Sequence, residues 1–250
     1  MYPLLKLAVP PPKLMAYERY LFIGPHPDDI EVACAPTVKR LTEAGKQVCF
    51  VILTDGCMGS IDPALSGEAL IARRQAEARA SAALLGVEAL YFLPFHDGGL
   101  YTVEEAAAAL AKEIVRLEPD VVFAPDPDVR SECHADHIKT GQAAKMTTCM
   151  SPYSGVMQSI GGGDKVHAIS ALALYYTDRP NVRLRIGRQF ACRGEALACH
   201  KSQFAEKDIQ TLKLYFTLRS LRIGGTRGKC DGYRAYAPVH THCFPEAARW

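Results

Sequence analysis

The chain has 250 residues, 48% of them hydrophobic, and its 29 Lys and Arg residues against 27 Asp and Glu residues leave a net charge of +2. This apolar fraction excludes a disordered chain, and the near-neutral charge excludes the strongly basic surface that nucleic acids require. No segment reaches the roughly 18–20 apolar residues of a membrane span. We therefore expect a cytoplasmic protein that has no membrane span.

Nine cysteines are spread along the sequence with no C-x-x-C pair and no repeating interval. This distribution argues against a disulfide framework and against a Cys-rich zinc site. We interpret the cysteines as reduced residues of an intracellular chain, which pack as small hydrophobic side chains.

After a proline-rich lead-in, short apolar runs alternate with segments of helical periodicity. Residues 20–24 are typical of a buried strand, and the apolar residues of 30–44 recur at helical spacing up to Gly45. The same alternation predicts further strands at 47–53, 89–93, 120–124 and 168–176, and further helices at 65–85, 102–117, 137–150 and 196–218.

Continuous apolar strands separated by helices are typical of a parallel sheet that is covered on both faces. We therefore predict an α/β fold with a doubly wound, mostly parallel sheet, and a ligand site at the carboxyl edge of that sheet. Residues 1–250 are expected to form one domain. In it, residues 1–17 form an extended lead-in, and residues 178–250 form a mixed C-terminal part that contributes to the pocket.

The common nucleotide-binding motifs do not fit. The first strand runs into Gly24-Pro25-His26 and lacks the later glycines of a dinucleotide fingerprint. The glycine-rich run 224–229 is one residue too short for a phosphate-binding loop, and Cys230 follows where Ser or Thr would bind magnesium. We interpret this run as a turn and expect no nucleotide cofactor.

A first cluster of polar residues follows the first strand, in Pro25-His26-Pro27-Asp28-Asp29. Residues three apart at the beginning of a helix face the same side, so His26 and Asp29 can converge while Asp28 points elsewhere. A helix cap would explain one carboxylate but not two together with an imidazole. The pattern predicts that His26 and Asp29 form a pair of ligands and that Asp28 is a free base beside them.

A second cluster, Cys133-His134-Ala135-Asp136-His137, follows the strand at 120–124 and therefore lies at the same carboxyl edge. His134 and His137 are again three apart, and Asp136 is near enough to orient an imidazole. Together the two clusters predict a metal site.

Two imidazoles and a carboxylate with an open fourth position are typical of catalytic zinc, and iron(II) is the alternative because it also binds such a set. A bound ion of this kind polarises a carbonyl and lowers the pKa of its water to about 7, which indicates hydrolysis of an amide or ester. The remaining Asp and His would then serve as acid and base.

At these residues the sequence resembles the LmbE/PIG-L family of metal-dependent N-acetylglucosaminyl deacetylases. The resemblance covers most of the chain and rests on the following segments: Pro25 to Asp29 with Glu31, Thr54-Asp55-Gly56, Arg74 with Glu77 ahead of Leu85-Gly86-Val87, His134 to His137 with Gly141, and Ala196 to Gln203. Ala135 departs from the family, where Pro is usual. The family's Rossmann-like sheet, which binds no nucleotide, agrees with the fold predicted from the pattern.

The resemblance implies a role for each matching residue. His26, Asp29 and His137 would bind zinc, and Asp28 would be the general base. His134 would stabilise the oxyanion or protonate the leaving amine, with Asp136 orienting His134. Candidate substrate-binding residues are Arg74, Asp55 and His200.

The implied reaction removes the N-acetyl group from a small N-acetylglucosamine-containing substrate and releases acetate and a free amine. Two alternatives remain open: a deacylase or amidase of a glycosylated natural product or thiol conjugate, and a non-catalytic zinc-holding sugar-binding protein. A homo-oligomer is compatible with the sequence. His96 follows the third strand and could line the pocket, whereas His240 and His242 alternate as on a strand and would share a face.

Overall fold

A seven-stranded sheet in the order β3-β2-β1-β4-β5-β7-β6 forms the centre of the computed structural model, which describes residues 4, 7–62, 64–242, 244, 246 and 247. Its strands are β1 (Arg19–Gly24), β2 (Gln47–Thr54), β3 (Ala89–Phe95), β4 (Val121–Pro125), β5 (Ala171–Tyr175), β6 (Val182–Arg185) and β7 (Cys230–Tyr236). The helices are α1 (Asp29–Glu43), α2 (Gly67–Leu85), α3 (Val103–Leu117), α4 (Ala135–Thr147), α5 (Ser154–Ser159), α6 (Cys192–Leu197), α7 (Glu206–Gly224) and α8 (Pro238–Thr241). The predicted lead-in, 1–17, lies partly outside the described residues.

Among the strands that the structure describes, β1 to β5 are parallel, and β7 alone runs antiparallel to its neighbours β5 and β6. The strand order therefore reverses between β1 and β4, which is the topological switch point of a doubly wound sheet. The predicted α/β fold with a mostly parallel sheet is confirmed.

Both faces of the central strands β1, β4 and β5 are buried, which explains why these strands are continuously apolar. Alternate residues of β1 belong to different cores: Tyr20 and Phe22 pack with α1 and α2, and Leu21 and Ile23 pack with α3 and α4. Helix α1 after β1 and helix α4 after β4 therefore cover opposite faces, and the first turns of both helices meet at the switch point.

The predicted helix at 196–218 is wrong as a single element. Helix α6 ends at Leu197, helix α7 begins at Glu206, and an irregular segment lies between them. In that segment the backbone N–H and the hydroxyl of Ser202 both donate to the buried carboxylate of Glu77. Because a buried carboxylate needs hydrogen-bond donors, the segment around Ser202 adopts a non-helical conformation that supplies them to Glu77. Helical periodicity cannot reveal a partner that is so distant in the sequence.

The C-terminal part differs from the sequence pattern in two further ways. Strands β6 and β7 were not predicted, and His240 lies in α8 instead of in a strand, where its Nδ1 accepts the N–H of Ala237 at 2.9 Å. His240 and His242 therefore do not share a strand face.

The glycine-rich run forms a turn of 3₁₀ helix at 225–227, as predicted. Among the helices that the structure describes, none has the length and apolarity to cross a membrane.

Candidate metal centre and active site

The turn between β1 and α1 places the first polar cluster at the switch point. Thr54 anchors this turn by donating to Pro25 O from its N–H at 3.0 Å and from its hydroxyl at 2.8 Å. The N–H of His26 donates to Asp29 Oδ2 at 3.0 Å, and the ring Nδ1 of His26 lies 3.1 Å from the same oxygen. The spacing of three residues brings the imidazole and the carboxylate together, as the sequence predicted.

The second cluster reaches the same point from the beginning of α4. An added Cβ at Gly141 would lie 2.5 Å from Pro125 O, so the glycine lets α4 pack closely against the end of β4. The ring Nε2 of His137 lies 3.3 Å from Asp29 Oδ1, and its Nδ1 lies 3.0 Å from Glu132 Oε2. Side chains of His26, Asp29 and His137 thus converge on one position that could hold a metal ion.

The far side of the His26 ring contacts two further carboxylates. His26 Nε2 lies 3.2 Å from Asp97 Oδ1 and 3.3 Å from Asp136 Oδ2, and Asp136 Oδ2 also accepts the N–H of Gly98 at 2.9 Å. A metal-binding histidine usually donates its second ring N–H to a carboxylate, which fixes the orientation of the ring. His26 has that arrangement through Asp97 and Asp136, and His137 has it through Glu132.

The role of Asp136 in orienting His134 stays a prediction, and the structure places two contacts between the residues. The carboxylate of Asp136 is 3.6 Å from His134 Nδ1 and is closer to His26. The backbone of Asp136 also contacts His134: His134 caps α4, and its Nδ1 accepts the N–H of Asp136 at 3.3 Å. When His134 is neutral, the proton must then sit on Nε2, and that nitrogen is a donor.

The electrostatics of the centre favour a cation. Burial alone would lower the pKa of His26, but hydrogen bonds with the carboxylates of Asp136, Asp29 and Asp97 raise it to about 12. Burial would raise the pKa of Asp29, yet His137 and His26 hold it well below its usual range. The histidines and Asp29 match the donor set of a catalytic divalent metal, and the surrounding carboxylates would offset its charge.

Asp28 lies beside this centre and is not one of the converging ligands. Burial and the neighbouring charge of Asp29 raise the pKa of Asp28 to about 7, against the lowering effect of Arg74. Arg74 Nη2 lies 3.4 Å from Asp28 Oδ2, while Nη1 donates to Gly56 O at 2.8 Å. A carboxylate whose pKa lies near neutrality is suited to accept and release a proton.

The three predicted substrate-binding residues have different surroundings. Arg74 is buried against Asp28. Asp55 holds two loops together, because its Oδ1 accepts the N–H groups of Cys57 and Asp97 and its Oδ2 lies 2.7 Å from His96 Nδ1. Direct contact with substrate thus remains a prediction for both residues.

His200 is 0% exposed, and its Nε2 lies 3.3 Å from Glu31 Oε1 beneath α1. The structure therefore corrects its predicted contact with substrate. The ring is enclosed because the segment between α6 and α7 folds inward, toward Glu77 and Glu31.

Sequence reasoning missed three residues at the centre: Asp97, Glu132 and Tyr176. Tyr176 has a positive φ of 59°, stacks on His137 with ring centroids 5.9 Å apart, and donates to Asp29 O at 3.2 Å. Tyr176 directly follows β5 and Asp97 comes two residues after the end of β3, so their position at the carboxyl edge was a usable signal. Glu132 lies in a loop, where spacing indicates nothing.

The fold and the side chains at its switch point define an α/β protein with a candidate metal centre and an adjacent buried carboxylate. The chain belongs to the PIG-L family: the family profile described as "PIG-L: GlcNAc-PI de-N-acetylase" matches residues 21–148, which contain both polar clusters. The resemblance noted in the sequence is therefore confirmed, and the protein is a member of a deacetylase family.

Two relatives match nearly the whole chain. Diacetylchitobiose deacetylase of Thermococcus kodakarensis is 32% identical over 234 residues, which cover 92% of this chain and 87% of the relative. The structure of N,N'-diacetylchitobiose deacetylase from Pyrococcus horikoshii, in complex with its inhibitor MPG, is 32% identical with a TM-score of 0.87, over 94% of this chain and 90% of its own.

A more distant structure shares the architecture without the same chemistry. The 4-carboxy-2-hydroxymuconate hydratase GalB from Pseudomonas putida KT2440 has a TM-score of 0.72 at 18% identity, over 87% of this chain and 95% of its own. At that identity the likeness shows the fold alone. The reaction must therefore be argued from the site.

Proposed function

We propose that this protein is a zinc-dependent N-deacetylase that removes the acetyl group from an N-acetylglucosamine unit of a short chitooligosaccharide such as diacetylchitobiose. The observation that carries the proposal is the position of buried Asp28 beside the converging side chains of His26, Asp29 and His137. The substrate class is supported by the two relatives of 32% identity, which are named for diacetylchitobiose.

His26, Asp29 and His137 would hold the ion. Two imidazoles and one carboxylate suit zinc, and iron(II) remains the alternative because it accepts the same ligands. When bound, the ion supplies a Lewis acid for the amide carbonyl and for the attacking water. Asp97, Asp136 and Glu132 fix the two rings through their other nitrogens.

Asp28 would act as the general base. Its pKa of about 7 lets the carboxylate take a proton from the attacking water at neutral pH and return that proton at a later step. Arg74 keeps the carboxylate in place through the contact at 3.4 Å and favours its ionised form.

His134 would face the reacting amide. The His134 side chain is 48% exposed, so a substrate can reach it, and its Nδ1 accepts the N–H of Asp136. The Nε2–H group is then available to donate to the carbonyl oxygen as negative charge develops there, or to protonate the departing amine. A preorganised donor of this kind contributes about 2.7–4 kcal/mol to the stabilisation of a transition state.

The direct test is release of acetate from N,N'-diacetylchitobiose by purified protein, with and without a chelator. We expect one acetate per hydrolysed acetamide, loss of activity on chelation, and recovery when zinc is added back. If iron(II) restores activity and zinc does not, iron is the metal of the proposed reaction. No release from any N-acetylglucosamine compound would refute the proposed substrate class.

Mass spectrometry of the products from a panel of N-acyl glucosaminides separates the proposal from its alternatives. Preference for a long-acyl or thiol-conjugated substrate would indicate the natural-product deacylase. Binding of the sugar without turnover would indicate the non-catalytic protein.

We also propose that the protein works in the cytoplasm and that residues 1–250 act as one domain. Among the residues that the structure describes, the cysteines are free thiols, which supports a reducing compartment. Fractionation of cells that express the tagged protein tests the location.

A further inference from the structure

A second group of metal-type side chains lies outside the candidate centre, in the loops that follow β2 and β3. It consists of Asp55, Cys57 and His96, and it shares no side chain with the group of His26, Asp29 and His137. We propose that these three residues form a second metal site, which binds a divalent ion of the zinc class. This inference is independent of the proposed deacetylation.

The geometry needs little adjustment to hold an ion. One ligand atom from each of the three side chains lies within 4.8 Å of the others, and His96 Nδ1 lies 2.7 Å from Asp55 Oδ2. A tetrahedral ion with bonds of about 2.0–2.3 Å spaces its ligands roughly 3.3–3.8 Å apart. Small rotations of the Cys57 and His96 side chains therefore suffice.

The carboxylate of Asp55 is already fixed in place. Its Oδ1 accepts the N–H of Cys57 at 3.0 Å and the N–H of Asp97 at 3.2 Å. These bonds leave Oδ2 to face the imidazole of His96. A ligand that is held before binding loses less conformational entropy when the ion arrives.

The mixture of donors selects the kind of ion. A thiolate together with an imidazole favours zinc and similar transition metals, whereas magnesium and calcium prefer oxygen ligands. The His96 side chain is 79% exposed, which opens the site to solvent and leaves room for a water molecule as the remaining ligand. An ion there would tie the loop after β2 to the loop after β3.

The second loop also contacts the candidate catalytic centre. Asp97, which adjoins His96, lies 3.2 Å from His26 Nε2, and the N–H of Gly98 donates to Asp136. An ion bound by His96 would therefore brace the segment that orients His26. The rival interpretation is that hydrogen bonds among Asp55, Cys57 and His96 hold the loops without any ion.

Cobalt(II) distinguishes the two interpretations, because only a cysteine ligand produces thiolate-to-cobalt charge-transfer absorption. The group of His26, Asp29 and His137 contains no cysteine, and among the described residues only the second group does, so the band reports on the second site. When metal-free protein is titrated with cobalt(II), we expect the band in the wild type, its loss in Cys57→Ser, and at least a several-fold weaker cobalt affinity in His96→Ala. Cys133→Ser is the matched control, since Cys133 is an exposed cysteine outside this group.

Zinc content measured on the same proteins should fall by about one ion per chain in Cys57→Ser, and circular dichroism should show that both variants remain folded. The band should persist in His137→Ala, so a failure of the candidate catalytic centre stays distinguishable from a failure of this site. Absence of the band in the wild type, or its persistence in Cys57→Ser, would overturn the second metal site.

Discussion

The guanidinium of Arg74 lies 3.4 Å from Asp28 Oδ2, and both side chains are buried. The second terminal nitrogen of Arg74 donates to Gly56 O, so its charge is held in one place. Burial and the charge of Asp29 raise the pKa of Asp28, and Arg74 limits that rise. The arginine therefore sets the pH range in which the proposed base is ionised.

Replacing Arg74 by Met should move the acidic limb of the pH profile of kcat/KM to higher pH. The base works in its ionised form, which predominates above its pKa, and loss of the neighbouring positive charge raises that pKa further. Arg73→Met is the matched control, because Arg73 pairs with Glu77 at a half-exposed position. If the acidic limb is unchanged in Arg74→Met, Arg74 does not control the pKa of the base.

Replacing Asp28 by Asn should lower kcat by about 10²–10⁴-fold, the usual contribution of a general base. The amide keeps the size of the side chain but cannot accept the proton from water. Bound metal, measured by mass spectrometry, should remain at the wild-type level because Asp28 is outside the converging ligand group. Near-normal turnover in this variant would show that another group is the base.

Replacing His137 by Ala should reduce metal retention together with activity. The ring supplies one of the nitrogens near Asp29, and two remaining ligands hold a divalent ion weakly. Metal content after dialysis and the dependence of kcat on added zinc measure the effect. His167→Ala is the control, since the His167 ring contacts only Pro119 O among the hydrogen bonds of the described residues; equal metal content in the two variants would contradict the assignment.

Replacing Asp97 by Asn should weaken metal affinity by about 10–100-fold without abolishing binding. The amide oxygen can still accept a hydrogen bond from His26, but the negative charge that makes the ring a better ligand is lost. Competition with a chelator measures the affinity. Asp164→Asn, on an exposed loop where Asp164 accepts from Gln158, should match the wild type; an affinity unchanged in both variants would exclude this role for Asp97.

Local pattern was sufficient for strands β1 to β5 and for helices α1 to α4, but it did not predict the short helix α5. Those strands and longer helices depend on continuous apolar runs and on helical periodicity, both of which reflect burial on two faces of the sheet. The C-terminal part was less predictable because its form depends on distant partners. Glu77 takes hydrogen bonds from Ser202 and so interrupts the expected helix, and β7 adds to β5 in the antiparallel direction.

The sequence by itself determined the fold class, the family, and the pairing of His26 with Asp29, because residues three apart at the beginning of a helix share a face whatever the rest of the chain does. Only the tertiary structure decided which groups hold the His26 ring. Asp97 comes from the loop after β3 and Asp136 from the first turn of α4, and both meet His26 Nε2 because parallel strands bring their carboxyl ends to one edge. The tertiary structure also decided that His200 is buried and that the side chains of Cys57 and His96 lie close together. Contacts between loops depend on the packing of the sheet and not on spacing along the chain.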